Sequence, residues 1–219
     1  MYILNIILSL TLIIFVSYFL YSRRFSIPCP SWLWWLIERD NPFFKINQSS
    51  TIIDHLELKP DMTILDVGCG PGRITIPIAK KISPTGKVVA IDIQANMISK
   101  AKEKAKRANL TNIQFIQAAI GEGKLEQENF DRALLVTVLG EIPKANQQAA
   151  LEEIYNSLKL GGILSITEII LDPHFQSRTK VLEIARAAGF KEKNFFGNRF
   201  AFTINLIKPI SKNGYIKDL

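Results

Sequence analysis

Hydrophobic and polar residues follow a repeating pattern along most of the chain, in which short apolar runs alternate with amphipathic stretches. Short apolar runs bounded by turn residues indicate buried strands, and apolar positions at helical spacing indicate helices. The sequence predicts strands at 63–67, 87–91, 113–117, 132–137 and 163–167. It predicts helices at 42–58, 73–82, 95–108, 144–158 and 176–188. This alternation predicts parallel strands joined by right-handed crossovers.

The last two strand-like runs, at 190–196 and 200–207, have no helix between them. Parallel strands need a long crossover, so these two must form a hairpin, with one of them antiparallel at an edge of the sheet. The pattern therefore predicts a doubly wound α/β sheet of seven strands, mostly parallel, that ends in an antiparallel hairpin.

The chain begins with a separate apolar segment, because Tyr2 to Ser22 contains no charged residue. As a helix this segment would be about 31 Å long, enough to cross the hydrocarbon core of a bilayer. A cleaved signal peptide is the alternative, but the basic pair Arg23–Arg24 follows the apolar run and no Ala-x-Ala site comes after it. We expect a retained single-pass transmembrane anchor at 1–24, with the rest of the chain in the cytoplasm.

Residues 25–58 are predicted to be an interfacial or capping helical segment in front of a folded domain at 59–219. Pro28 and Pro30 end the anchor helix, and all three tryptophans follow, at 32, 34 and 35. Tryptophans beside an anchor favour the headgroup zone of a membrane. Alternatively, these rings pack on the folded domain as an ordinary flap, and both arrangements could hold at once.

The charge and cysteine content exclude several other classes of site. Cys29 and Cys69 are far apart and the two histidines are scattered, so neither a disulfide framework nor a metal site is expected. The net charge is +7, but the lysine-rich run at 100–107 lies on a predicted helix as a solvated face. No aromatic stacking motif accompanies it, so no nucleic-acid partner is expected.

A glycine-rich turn follows the first predicted strand of the sheet. Asp66 is followed by Gly68, Gly70 and Gly72, and Asp92 ends the next strand. Residues without a Cβ permit positive φ and close approach of a ligand to the backbone. A carboxylate at Asp92 could accept both hydroxyls of a ribose.

The spacing of these glycines distinguishes between two nucleotide-type ligands. A dinucleotide site has the pattern Gly-x-Gly-x-x-Gly, but its third glycine position is Arg73 here. The Asp66 carboxylate would repel a pyrophosphate but suits a cationic amino acid or a sulfonium. A purely structural turn is the remaining alternative.

The segment 64–73 resembles motif I of the class I S-adenosylmethionine-dependent methyltransferases, including their ubiquinone- and menaquinone-biosynthesis-like members. The resemblance extends over about residues 52–209 and implies a Rossmann-like fold with S-adenosyl-L-methionine as cofactor. It also implies contacts to the amino-acid part of the cofactor from the glycine loop, to the ribose from the next strand end, to adenine from an apolar neighbour, and to the methionine part from the fourth strand. The amino-acid part would thus be contacted by Asp66, Gly68, Cys69 and Gly70, the ribose by Asp92, adenine by Ile93, and the methionine part by Thr137.

One position departs from this family. Many relatives have an acid after the third strand that binds the adenine amino group, where this sequence has Gln117 followed by Ala118. The resemblance then implies that adenine is recognised by Gln117 or by backbone groups at Ala118.

Candidate catalytic groups follow the fourth and fifth strands. Methyl transfer from a sulfonium is an in-line displacement that needs positioning first and a base only sometimes. Glu141 could line the pocket, and His174 could act as a general base; Glu168 and Asp172 are further candidates. Alternatively, Asp172 caps a helix with Pro173 at its first position.

The predicted anchor favours an acceptor that lies in or on the bilayer. We expect a lipophilic small molecule, such as a quinone precursor, a phospholipid amine, an isoprenoid, or a hydrophobic thiol or phenol; a protein substrate is also possible. The alternative from another class is a catalytically silent, methyltransferase-like domain that serves as a membrane-tethered scaffold.

Overall fold

A seven-stranded sheet forms the centre of the structure, a computed structural model that describes residues 2–25, 27–40 and 42–210. Its strands are β1 (Thr63–Val67), β2 (Lys87–Asp92), β3 (Ile113–Gln117), β4 (Phe130–Val136), β5 (Leu158–Ile169), β6 (Lys191–Gly197) and β7 (Ala201–Ile207). Their order in the sheet is β3-β2-β1-β4-β5-β7-β6. The first five are parallel, and β7 runs antiparallel to both β5 and β6. The predicted doubly wound sheet with a C-terminal hairpin is confirmed.

Helices α3 (Ser49–His55), α4 (Thr75–Ile82) and α5 (Ala95–Arg107) cover one face of the sheet, and α6 (Gln147–Ser157) and α7 (Arg178–Ala187) cover the other. Two further helices, α1 (Tyr2–Phe25) and α2 (Trp34–Ile37), precede them in the chain. Successive strand residues point to opposite faces. Leu65 therefore packs with the apolar residues of α6 and α7, whereas its neighbour Ile64 packs with those of α3, α4 and α5. The continuous apolar runs of the central strands reflect burial on both sides.

Several helices begin later than the sequence predicts, because a local feature determines the first residue of each helix. Helix α4 begins at Thr75, which leaves Pro77 in the first turn, where a missing N–H does no harm. The predicted helix at 42–58 is instead a 3₁₀ turn at Lys45–Asn47 followed by α3. Asp172 does not cap a helix, because α7 begins at Arg178 and the Ser177 side chain accepts from Lys180 N at 3.3 Å.

Helix α1 projects from the rest of the protein. Its described side chains are largely exposed, with Ser22 as the buried exception among them. Among the described residues it is the one helix that is long and apolar enough to cross a membrane, a property that signal sequences share.

The segment at 27–40, called the N-terminal strap below, runs from α1 along the carboxyl ends of the parallel strands. Trp34 packs on α5, with Lys100 Nζ 4.9 Å and Lys104 Nζ 5.9 Å from its ring centroid. Trp32 and Trp35 remain 70% and 50% exposed. One tryptophan therefore packs on the folded domain while two face outward, and a position of these two in the headgroup zone stays a prediction.

Gly140 allows the loops after β4 and β5 to pack directly on each other. A Cβ at this position would lie 1.8 Å from the backbone oxygen of His174. That oxygen belongs to the main chain and cannot rotate away, so the two loops keep one arrangement relative to each other.

We predict that Gly140→Ala lowers the free energy of unfolding by about 3 kcal/mol, the upper end for an overpacked site. Gly123→Ala is the matched control, because its Cβ would meet nothing within 4 Å and only its φ of +70° opposes the change. The control should cost about 1 kcal/mol. Denaturant unfolding in detergent measures both, and equal losses would contradict the packing argument.

Candidate active site

A cavity of about 410 Å³ opens at the carboxyl ends of β1, β2 and β4. This is the edge at which open, doubly wound sheets bind ligands. Gly68 and Gly70 form one wall, Asp92 and Ile93 another, and the loop after β4 closes the far end. The volume is in the range of cavities that hold a nucleoside-sized ligand.

The glycine loop is held against β2 by backbone hydrogen bonds. Gly68 N and Cys69 N both donate to Ile91 O, at 2.8 and 3.0 Å. Gly68 has a φ of +70°, and a Cβ there would lie 2.4 Å from Val138 Cγ2. Only glycine fits this position, because both the backbone conformation and the space exclude a side chain.

Asp92 connects the glycine loop to the turn after β2. Its Oδ2 accepts from Gly70 N and its Oδ1 accepts from Gln94 N, each at 2.8 Å. Burial raises the pKa of Asp92, and these backbone N–H groups partly lower it again. Each carboxylate oxygen keeps a lone pair, so the group can still accept from a ligand in the cavity.

Three predicted cofactor residues do not line the cavity. Asp66 is buried below the loop, where Oδ2 accepts from Thr75 Oγ1 at 2.6 Å and burial raises the pKa of the carboxyl to about 6. Cys69 packs its side chain into the apolar layer on the α4 side. Gln117 donates from Nε2 to Ile93 O at 3.3 Å. All three support the walls of the cavity.

The other predicted cofactor residues, Ile93, Ala118 and Thr137, do line it. Ala118 N donates to Asp92 O at 3.2 Å, and Thr137 N donates to Thr167 O at 2.8 Å. Thr137 has a φ of +56°, which is strained for a β-branched residue. Strain of this kind is concentrated at functional sites.

Two carboxylates stand at the far end of the cavity. Glu141 and Asp172 both line it, and Cys29 N donates to Glu141 Oε1 at 3.2 Å. Burial, followed by the charge of Asp172, raises the pKa of Glu141 to about 7. A carboxyl group that titrates near neutrality is suited to general acid–base chemistry.

His174, predicted as a catalytic base, lies behind these carboxylates and not in the cavity wall. Its ring is buried, with Nε2 2.9 Å from Ser22 Oγ and 3.1 Å from Ser22 O. Its Nδ1 is 3.5 Å from Asp172 Oδ1 and 4.0 Å from Glu141 Oε1. Burial lowers the pKa of His174, but the two carboxylates raise it more, so the net shift is upward.

The N-terminal strap contributes wall residues that the sequence did not predict. Pro28 and Cys29 line the cavity, and Cys29 O accepts from Gln94 Nε2 at 2.9 Å. Arg73 holds the end of the strap and the chain that follows it, donating to Asp40 Oδ1 at 2.9 Å and to Asn47 O at 2.7 Å. A cysteine between two prolines carries no sequence signal for such a position.

A family model described as a methyltransferase domain matches residues 58–207. The chain belongs to the methyltransferase domain family. The predicted resemblance to class I methyltransferases is thereby confirmed.

The methyltransferase domain has similar curated relatives. A probable methyltransferase of Aspergillus luteorubrus is 38% identical over 127 residues, which cover 55% of this chain and 44% of the relative. A demethylmenaquinone methyltransferase of Oceanobacillus iheyensis is 33% identical over 100 residues, covering 46% and 41%. The chain thus spans less than half the length of these relatives.

Solved structures share the fold of the methyltransferase domain. An S-adenosylmethionine-dependent methyltransferase from Aquifex aeolicus superposes with a TM-score of 0.72 at 21% identity, over 82% of this chain and 99% of that one. The magnesium protoporphyrin IX methyltransferase of Synechocystis, with bound S-adenosylmethionine, gives 0.59 at 18% identity, over 73% and 76%.

We predict that Glu141→Gln stabilises the folded chain more at about pH 8 than at about pH 5, since the raised pKa of Glu141 makes folding costly once the group ionises. An acid with a raised folded pKa loses its stabilising contribution as pH rises through that pKa. The upper limit is about 3 kcal/mol, because one pKa unit corresponds to about 1.4 kcal/mol. Unfolding of both proteins at both pH values measures this, with exposed Glu126→Gln as the control.

Proposed function

We propose that the protein transfers a methyl group from S-adenosyl-L-methionine to a lipophilic molecule at a membrane surface. The observation that carries the proposal is a single cavity with two different ends. One end has the glycine loop and Asp92, and the other has Glu141 and Asp172 beside the foot of α1.

The first end of the cavity fits the cofactor because its hydrogen-bonding groups and its free space match the parts of that molecule. The remaining lone pairs of Asp92 would accept the ribose hydroxyls, and the backbone around Gly68 and Gly70 leaves room for the amino-acid part. Ile93 and Met97 would offer apolar contact to adenine. When bound, the cofactor supplies a methyl group already activated on a sulfonium, so the main task of the protein is alignment.

The second end suits an acceptor that is apolar apart from one ionisable group. Its walls include Ile120, Val138, Ile142 and Pro143. Because the pKa of Glu141 is about 7, its carboxylate can accept the proton that a hydroxyl, amine or thiol loses on methylation. The similarity to demethylmenaquinone methyltransferases supports a quinone precursor as one such acceptor.

Exposed apolar side chains support a membrane position for this edge of the sheet. Ile170, Leu171 and Phe200 are all exposed, and Ile170 N donates to Phe200 O at 2.7 Å. Leu171 is three residues before His174, which contacts Ser22 at the foot of α1, where Arg23 and Arg24 would face the headgroups of the cytoplasmic leaflet. An acceptor dissolved in the bilayer would then reach the cavity without crossing water.

We predict methyl transfer from labelled S-adenosylmethionine into reduced demethylmenaquinone or a total membrane lipid extract by the full chain in detergent. Asp92→Asn should weaken cofactor binding, measured by calorimetry, about ten- to a hundredfold, because one charge-assisted acceptor is lost. The control is Asp61→Asn, an exposed carboxylate before β1.

The outcomes separate two functions. No cofactor binding by a folded sample would contradict the enzyme and favour a scaffold, as the missing acid at Gln117 would allow. Binding without transfer to any lipid would contradict the lipophilic acceptor alone.

A third measurement tests the membrane position. Removal of residues 1–24 should shift the protein from the membrane fraction to the soluble fraction, since α1 is the one described helix that is long and apolar enough to cross a bilayer. Recovery that still requires detergent would assign membrane binding to the strap tryptophans.

A further inference from the structure

A chain of polar contacts leads from α1 through His174 to the acidic end of the cavity. Ser22, a buried residue of α1, contacts His174 Nε2 through both its hydroxyl and its carbonyl oxygen, at 2.9 and 3.1 Å. The opposite ring nitrogen, Nδ1, faces Asp172 at 3.5 Å and Glu141 at 4.0 Å. His174 therefore stands between the predicted membrane helix and both carboxylates.

The orientation of the imidazole ring follows from these contacts. A carbonyl oxygen can only accept, so Nε2 carries a proton when it bonds to Ser22 O. In the imidazolium form Nδ1 carries a second proton, which points toward the carboxylates. Among the described residues Nδ1 has no hydrogen-bond partner, and its contacts with Asp172 and Glu141 are ion pairs at 3.5 and 4.0 Å.

His174 is the counterion of Glu141 and Asp172 among the described groups that interact with them. The other titratable groups that interact with Glu141 or Asp172 are Tyr18, Cys29, Asp92 and Glu168. Burial raises the pKa of Cys29 to about 12, so its thiol is neutral near pH 7, and burial also raises the pKa of Glu168 well above its usual value. Of the described groups that interact with the pair, His174 is the one that can carry a positive charge.

We propose that His174 is a positioning residue that keeps Glu141 ionised for proton acceptance, and that Ser22 of α1 holds its ring in place. This inference rests on the proposed function. The acceptor loses its proton to the Glu141 carboxylate as its heteroatom or carbon takes the methyl group, and the sulfonium becomes a neutral thioether. Glu141 then returns the proton to solvent, while His174 keeps both of its own protons throughout.

A consequence is that docking of α1 controls the chemistry of the cavity. Without Ser22, the imidazole loses two polar partners and its fixed orientation. The carboxylate pair would then bind a proton more readily, because like charges close together resist joint ionisation. Methyl transfer would therefore be most effective when α1 is seated on the domain.

The test is the pH dependence of kcat/KM for the full chain, with reduced demethylmenaquinone or the total lipid extract as acceptor. In the wild type, activity should rise with pH as Glu141 loses its proton near pH 7. His174→Gln keeps an N–H donor for Ser22 but cannot become charged. This substitution should move the rise in kcat/KM to a pH about one unit higher, because loss of a nearby positive charge raises the pKa of a carboxyl group.

Ser22→Ala should also move the rise in kcat/KM to higher pH, but by a smaller amount. In the double variant Ser22→Ala/His174→Gln, the rise should lie at the same pH as in His174→Gln alone. Ser17→Ala is the matched control, since Ser17 is on the same helix and exposed. Cofactor binding, measured by calorimetry, should be the same in all of these variants.

Other outcomes would overturn the proposal in distinguishable ways. Lower activity at every pH with no displacement of the rise would mean a structural role for His174. Additive effects of the Ser22 and His174 substitutions would mean that α1 acts by another route. A wild-type chain that transfers no methyl group would instead refute the proposed function itself.

Discussion

The carboxylate of Asp92 accepts hydrogen bonds from two separate loops, and the walls of the cavity depend on those bonds. The parallel register places Val67 opposite Ile91, so the turn after β1 begins beside the end of β2. Gly70 N and Gln94 N then converge on one carboxylate. Because each loop is anchored to the same group, a displacement of either would disturb the other. The ligand meets a surface that is already organised, which reduces the entropy lost on binding.

The N-terminal strap extends this arrangement across the cavity. The backbone of Cys29 bonds to Gln94 on one side and to Glu141 on the other. The segment that precedes the sheet in the sequence thus forms part of the site, together with loops that follow β2 and β4. A fold of this class can vary its acceptor end through such added segments while the strands stay the same.

The sequence was informative wherever local pattern decides structure. Continuous apolar runs located the central strands, and the absence of a helix between the last two runs identified the hairpin. The roles of His174 and Asp172 could not be predicted in the same way, because Ser22 is 152 residues from His174 and only packing brings them together. Asp66 and Gln117 were placed near the ligand by resemblance, but Asp66 Oδ2 accepts from Thr75 and Gln117 Nε2 donates to the backbone of Ile93. Motifs thus located the loops, and the side-chain geometry followed from contacts distant in sequence.

The strap has one more consequence, for the chemical durability of the site. An ordinary cysteine with a pKa near 8.5 is about one-tenth thiolate at pH 7.5, and thiolates are readily alkylated. Cys29 lines a cavity proposed to hold an activated methyl group, yet burial raises its pKa to about 12, which leaves on the order of one thiolate in thirty thousand at that pH. Burial also raises the pKa of Cys69, in the glycine loop. Burial therefore keeps both sulfurs in the thiol form, which is much less readily alkylated than the thiolate.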